Sequence, residues 1–272
     1  MSVDMTIPPG RRPFTLADFG LCKSEGKKIA VLTAYDFTTA QLLDAAGIDC
    51  LLVGDSLGTV VQGRDTTLRV TLGQMLYHAE MVARAVTNAF VVADLPFLSY
   101  QVSISQAVRA AGRYLKRTEC RAVKLEGGTT MAATIRAVVD AGIPVMGHVG
   151  LTPQSVRRLG GYKVQRDEAQ LVADAHAVAE AGAFSIVLEC VPSSIAARIT
   201  AELPIPTIGI GAGPDCDGQV LVTPDMLGLF DAFRPKFVRR YANLAETIRT
   251  SATTYVNDVR ESTFPNASES FR

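Results

Sequence analysis

The sequence predicts an α/β fold of the (β/α)8, or TIM-barrel, type, with an N-terminal capping helix and a C-terminal helical extension. Three observations carry this expectation. Seven short β-rich runs alternate strictly with helical patterns along the 272 residues, and such alternation implies a parallel sheet covered by helices. The phrases DAAGID, DAGIP and EAGAF recur where helical patterns end, each with a glycine free to take a left-handed cap before the next strand. No GxGxxG opens a first βα unit, which disfavours a dinucleotide-binding sheet; about eight units in about 250 residues fit a barrel.

The elements follow in order. TLADFGLCKSEG reads as a short helix that closes the barrel bottom. KKIAVLTAYD is the first strand, and FTTAQLLDAAGI the helix after it, with Ala40, Leu43 and Ile48 near helical spacing. DCLLVGD is the second strand; SLGTVVQGRDTTLRV after it is long enough for a lid or an interface element. TLGQMLYHAEMVARAV, SISQAVRAAGRYLKRT, TTMAATIRAVVDAG, EAQLVADAHAVAEAG and PSSIAARITAEL read as helices. They alternate with the strands AFVVADLP, RAVKLEGG, IPVMGHVG, AFSIVLEC and IPTIGIGAG. An eighth short strand is expected near MLGLF. KFVRRYANLAETIRTSATTYVNDV reads as one helix whose stripe of Phe237, Tyr241, Leu244, Ile248, Tyr255 and Val259 packs on the barrel or on another subunit. The whole, 1–272, is read as one domain, with barrel and capping helix at 15–234, the extension at 235–260 and a frayed polar tail at 261–272.

Composition bounds the function. Lysine plus arginine, 27, balance aspartate plus glutamate, 27, so neither nucleic acid nor an anionic membrane is expected as a partner, and small-molecule substrates are. The five cysteines contain no CxxC pair, which favours a reduced, cytoplasmic setting over a disulfide framework or zinc ribbon. The first residues, MSVDMTIPPGRRPF, lack a signal-peptide core. No apolar run is long enough to cross a membrane.

In such barrels the reacting groups stand at the C-terminal ends of the strands. Asp55, Asp94 and Glu126 end three adjacent strands, and Asp36 follows the first. Crowded carboxylates repel unless protonated or bridged by a cation, and hard oxygen donors favour Mg2+ or Mn2+; the bland alternative is that each acid caps a helix or makes a turn. Lys124 shares a strand face with Glu126. It could bind a substrate carboxylate, neutralise Glu126, or form a Schiff base. His148, between nearby glycines, is a substrate contact or a hydrogen-bonded structural histidine. Glu189 ends an apolar strand, where partial burial would raise its pKa and suit a general base, or it forms a salt bridge. Cys190, His78 and His176 read as packing, structural or surface groups. GIGAGPDCDGQ looks like a phosphate loop, but Asp215 and Asp217 oppose an anion, so a tight site-lining loop is expected.

From Thr15 to Phe230 the chain resembles the ketopantoate (3-methyl-2-oxobutanoate) hydroxymethyltransferase family. The phrases that carry the resemblance are TAYD, LLVGDSLG, YHAEMVARA, VVADLPF, AVKLEGG, GHVGLTPQSV, GGYKVQ, VLECVP and IGIGAGPDCDGQVLV. The resemblance implies a (β/α)8 barrel that transfers a hydroxymethyl group from 5,10-methylenetetrahydrofolate to 3-methyl-2-oxobutanoate, giving ketopantoate in pantothenate and coenzyme A biosynthesis. It implies one Mg2+ per subunit on Asp55, Asp94 and Glu126, keto-acid contacts from Asp55, Ser56, Asp94 and Lys124, a pocket-lining His148, and Glu189 as proton acceptor. It further implies a cytoplasmic homodecamer, a pentamer of dimers. The chain departs in a shorter stretch after GGYKVQ, in Arg69 where many relatives have proline, and in Gly73 where an acid is common. Two rivals stand beside this reading: a metal-dependent barrel enzyme acting on phosphoenolpyruvate or oxaloacetate derivatives, and a non-catalytic ligand-binding barrel.

Overall fold

The computed structural model describes residues 11–161, 164–230 and 235–271. Most of the N-terminal stretch read for a leader, and Tyr162 and Lys163 of GGYKVQ, lie outside those residues. Two compact units are present, Met1–Leu221 and Val222–Arg272.

The first unit is a closed parallel barrel in the order β1-β2-β3-β4-β5-β6-β7-β8, with β8 pairing back to β1. Its strands are β1 (Ile29–Thr33), β2 (Cys50–Val53), β3 (Phe90–Asp94), β4 (Ala122–Glu126), β5 (Val145–Gly150), β6 (Ser185–Glu189), β7 (Thr207–Ile210) and β8 (Gly218–Leu221). The first seven fall where the β-rich runs predict them. Helices between them start on polar caps: Asp36 accepts from Thr39 N at 2.8 Å, Ser103 from Gln106 N at 3.2 Å, and Asp167 from Gln170 N at 3.1 Å. Helix Ile104–Arg117 buries Ala107, Ala110, Ala111 and Tyr114, the i, i+3, i+4, i+7 face that seats it on the sheet. The glycines of the three repeated phrases take positive φ: Gly47 at 95°, Gly142 at 81° and Gly182 at 93°.

Alternate residues on each strand face opposite ways, and the buried apolar residues divide accordingly. One cluster lies between sheet and helices. The other fills the barrel interior with Leu52, Phe90, Val92, Met146 and Val187 among its members. Phe19, on the N-terminal helix Leu16–Ser24, is fully buried in the interior cluster and packs edge-on against Phe90 at 5.3 Å and Phe184 at 4.9 Å. The capping-helix expectation therefore holds: an aromatic plug closes the strands' N-terminal end.

Three expectations are corrected. The eighth strand is Gly218–Leu221, ahead of MLGLF; Met226 ends the one-turn helix Thr223–Met226. A four-residue strand that includes Gly218 and Gln219 carries little apolar signal. No helix separates β7 from β8, so strict alternation fails there: the loop 211–217 carries the chain back to the start of β8. Seven residues reach up to about 23–25 Å, enough to run the length of a four-residue strand. The second half of that loop therefore leaves the mouth, with Asp217 accepting from Thr207 N and Lys23 Nζ, each at 2.9 Å, where β7 begins. Third, in the second unit the helix spans only Leu244–Arg260. Phe237 and Tyr241 precede it, because Tyr241 N bonds Met226 O, and Leu244 N and Ala245 N bond Leu227 O and Gly228 O, in place of helical i−4 partners.

Candidate active site

The interior rows that are apolar at the bottom of the barrel turn polar at the top. Phe90 and Val92 lead to Asp94; Ala122 leads to Lys124 and Glu126; Met146 leads to His148; Val187 leads to Glu189. Register places Asp94 opposite Lys124, Glu126 opposite His148, and Gly150 opposite Glu189. Asp55, two residues past β2, adds its backbone N–H to Asp94 Oδ2 at 3.0 Å. Asp55, Asp94, Lys124, Glu126 and His148 are all buried, and Glu189 is half-buried at the mouth.

The polar groups form one connected chain. Lys124 Nζ stands 2.9 Å from Asp94 Oδ1 and 3.3 Å from His148 Nδ1. An ammonium has no lone pair to offer, so Nδ1 is the acceptor and the imidazole proton sits on Nε2. That nitrogen lies 3.1 Å from Glu189 Oε2, off the line of a fully formed hydrogen bond. His148 Nδ1 is also 3.7 Å from Glu126 Oε1. Ser56 shares a 2.8 Å hydrogen bond with the Tyr35 hydroxyl, and the Tyr114 hydroxyl donates to Asp94 O at 2.6 Å.

Burial, and then the charge of Asp94, push the Asp55 carboxyl up to about 7. Burial and Asp55 hold Glu126 well above the usual carboxylate range. Burial works against the Lys124 ammonium, but Asp94, then Glu126 and Asp55, raise its pKa above the ordinary lysine value. A lysine held protonated is no nucleophile, so the Schiff-base alternative loses support. Burial and then Lys124 lower the His148 pKa, keeping the ring neutral.

The two glycines flanking His148 have distinct work. A Cβ at Gly147 would come within 2.3 Å of Val178 Cγ1, so helix Glu168–Glu180 could not seat against β5. At Gly150, with φ of 95°, it would come within 2.3 Å of Glu189 O, where β5 meets β6.

Asp36 is an exposed helix cap. His78 Nδ1 bonds Tyr35 O at 2.6 Å, and His176 Nε2 meets Glu202 at 3.1 Å on the surface. Cys190 and the other four cysteines are free thiols. Gln154, Tyr100 and Tyr35 are in or beside the polar network, although no pattern in the sequence singles them out. Their positions depend on loops, which carry no periodicity to read. Among the described residues, no three His, Cys, Asp or Glu side chains stand as a ready-made metal cage. A cavity of about 490 Å3 opens beside Glu126, lined by Tyr100, Gln101, Thr129, Thr152 and Arg158 among others. Among the described residues, no helix is long and apolar enough to cross a membrane.

A sequence profile described as Ketopantoate hydroxymethyltransferase matches residues 13–267. The chain is 56% identical over 266 residues to the 3-methyl-2-oxobutanoate hydroxymethyltransferase of Moorella thermoacetica, covering 96% of this chain and 99% of that protein. It is 55% identical over 264 residues to the protein of the same name from Trichlorobacter lovleyi, again covering 96% and 99%. Among solved structures, a phosphonopyruvate hydrolase complexed with oxalate and Mg2+ superposes with a TM-score of 0.60 at 13% identity, covering 93% of this chain and 92% of that one. A 2,3-dimethylmalate lyase of the PEP mutase/isocitrate lyase superfamily gives 0.58 at 17%, covering 94% and 91%. These two share the fold.

Proposed function

The chain belongs to the ketopantoate hydroxymethyltransferase family, and from that premise and the geometry of the mouth we propose that it moves a hydroxymethyl group from 5,10-methylenetetrahydrofolate to C3 of 3-methyl-2-oxobutanoate, yielding ketopantoate for pantothenate and coenzyme A synthesis. The observation that supports the reading is the chain Asp94–Lys124–His148–Glu189, which brings a buried ammonium and a half-buried carboxylate to one barrel mouth.

A divalent cation suits the donor set. Four carboxylates, on Asp55, Asp94, Glu126 and Glu189, gather around one lysine and a neutral histidine, so negative charge is in excess; burial first, and then the neighbouring carboxylates, raise the pKa values of Asp55 and Glu126. Mg2+ is commonly held by one or two carboxylates together with water and substrate oxygens, without an all-protein cage. Asp55, Asp94 and Glu126 would hold one Mg2+ per subunit. When bound, it supplies Lewis-acid polarisation of the substrate's keto oxygen.

The chain's own groups do the rest. The Lys124 ammonium attracts the carboxylate of the 2-oxo acid, and the Ser56 hydroxyl, steadied by Tyr35, hydrogen-bonds to it. Glu189 takes the proton from C3, with Nε2 of His148 beside it at 3.1 Å. The electron pair left on C3 forms the new bond to the one-carbon unit as that carbon's two bonds to the folate nitrogens break; one water supplies the hydroxyl oxygen, and tetrahydrofolate leaves with two protons, one from C3 and one from the water. Interior burial keeps bulk water from the exposed charge.

We also place the protein in the cytoplasm, in keeping with its five free thiols, as a homodecamer built as a pentamer of dimers. The test of function is direct. Incubation with 3-methyl-2-oxobutanoate, methylenetetrahydrofolate and Mg2+ should give ketopantoate by mass spectrometry, and omitting either the folate or the metal should stop it. No product from the complete mixture rejects the assignment.

A further inference from the structure

Gln154 sits amid the acids of the mouth without being acid, base or substrate ligand in the reading above. It lies in a 3-10 turn, Pro153–Ser155, after β5 and is 6% exposed. Its backbone N–H donates to Glu126 Oε2 at 3.0 Å. Its side-chain Nε2 donates to Asp55 Oδ2 at 2.9 Å and to Leu95 O at 3.0 Å. Its Oε1 accepts from the Tyr100 hydroxyl at 2.9 Å and from Gln101 Nε2 at 3.0 Å.

A glutamine amide offers two donors and two acceptor positions, and here all are used. The neighbours also fix which way the amide points. Turned over, Oε1 would face a carboxylate and a backbone carbonyl, both acceptors. The Tyr100 hydroxyl accepts from Glu126 N–H at 3.1 Å and has one proton to give, nearer to Gln154 Oε1 than to Glu126 O at 3.1 Å. One residue thus grips both Asp55 and Glu126, one through its side chain and the other through its backbone. Tyr100 and Gln101 lock the grip.

We propose that Gln154 is a positioning residue that clamps the Asp55 and Glu126 carboxylates and thereby sets the mouth's affinity for its divalent cation. The inference rests on the cation site of the preceding subsection. It adds a residue that is neither a ligand nor charged. The hydrogen bonds hold one oxygen of each carboxylate, leaving the second oxygen of each for another partner. Outer hydrogen bonds of this kind orient ligating carboxylates, and losing one typically lowers metal affinity about 10–100-fold.

Gln154→Met keeps the side-chain length, removes the amide and retains the backbone N–H on Glu126, so it severs the Asp55 contact selectively. The probe is Mn2+ binding by electron paramagnetic resonance, on the full-length protein without substrate. Gln154→Met should bind Mn2+ about 10–100-fold more weakly than wild type, and the activity it loses at low Mg2+ should return as Mg2+ is raised. A purely structural defect would not be titrated back by metal. Tyr100→Phe combined with Gln101→Leu keeps the Asp55 contact but frees the amide to turn over, and should weaken Mn2+ by a smaller factor. Equal Mn2+ affinity in wild type and Gln154→Met overturns the clamp while leaving the cation site standing; no Mn2+ binding by wild type overturns both. Should Gln154→Met fail to fold by circular dichroism, unchanged Mn2+ affinity in the Tyr100/Gln101 double variant overturns the clamp.

Discussion

At the scale of single residues, the mouth divides labour between a base and a set of charges that must be neutralised. Glu189 is the base of the proposed reaction, and its step can be isolated from the folate. The wild-type protein with Mg2+ should exchange the C3 hydrogen of 3-methyl-2-oxobutanoate with deuterated solvent. Glu189→Gln preserves shape but cannot take the proton, so exchange should fall about 10²-fold or more, the usual scale for a positioned acid–base group. Exchange near the wild-type rate would make Glu189 a positioning group and shift the base role to another residue. Asp55 makes the complementary prediction. Its folded pKa, about 7, lies above its ordinary value of about 4, so the metal-free fold keeps a proton that the unfolded chain has lost. That contribution to stability is fully present below about pH 4 and is lost as pH rises through 7. Metal binding must displace the same proton. The rise in Tm produced by a fixed Mg2+ concentration should therefore grow from pH 6 to pH 8, and Asp55→Asn should flatten that growth. A Mg2+ effect that shrinks with pH would contradict the assignment of Asp55.

At the scale of elements, each end of the barrel is finished differently. The bottom is closed by an apolar plug on a separate helix, and the top is left to charge and hydrogen bonds. Phe19 carries the plug, fully buried among Phe90, Phe184 and Phe14 with ring centroids at 5.3, 4.9 and 5.1 Å. Phe19→Ala should cost about 3–5 kcal/mol of stability, read as a lower urea midpoint. The fraction that stays folded should keep its turnover per folded molecule, because the plug and the mouth are at opposite strand ends. A variant with normal stability and poor turnover would mean that the N-terminal helix acts on the mouth instead.

At the scale of the whole molecule, the question is assembly. In the second unit, helix Leu244–Arg260 leaves Ile248, Tyr255, Val256 and Val259 exposed by 53%, 56%, 39% and 46%. Large apolar side chains left exposed along one helix mark a candidate interaction surface. The homodecamer proposed above should sediment as one large species in analytical ultracentrifugation at micromolar concentration. A sharp monomer boundary there would reject it.

The strand positions of β1 to β7, the helix caps and the rows carrying Asp94, Lys124, Glu126, His148 and Glu189 were legible in the chain. Each follows from a period of two or 3.6 and from a polar residue ending an apolar run, signals local to a few residues. Asp55 was legible for the same reason, as the acid that follows the Leu51–Val53 run. Asp36 shows the limit of the rule, since an acid after a strand is equally at home as a cap. Folding also decided what no local pattern encodes. Gly218–Leu221 becomes β8 because β1 and β7 offer it unpaired edges on either side. The helix shortens to Leu244 because the carbonyls of residues 226–228 take the amides of residues 241, 244 and 245. Gln154 meets Asp55 from 99 positions away, and the lysine, histidine and glutamate line up only once three strands are in register. Periodicity determines which way a residue faces; closure of the barrel decides which residues it faces.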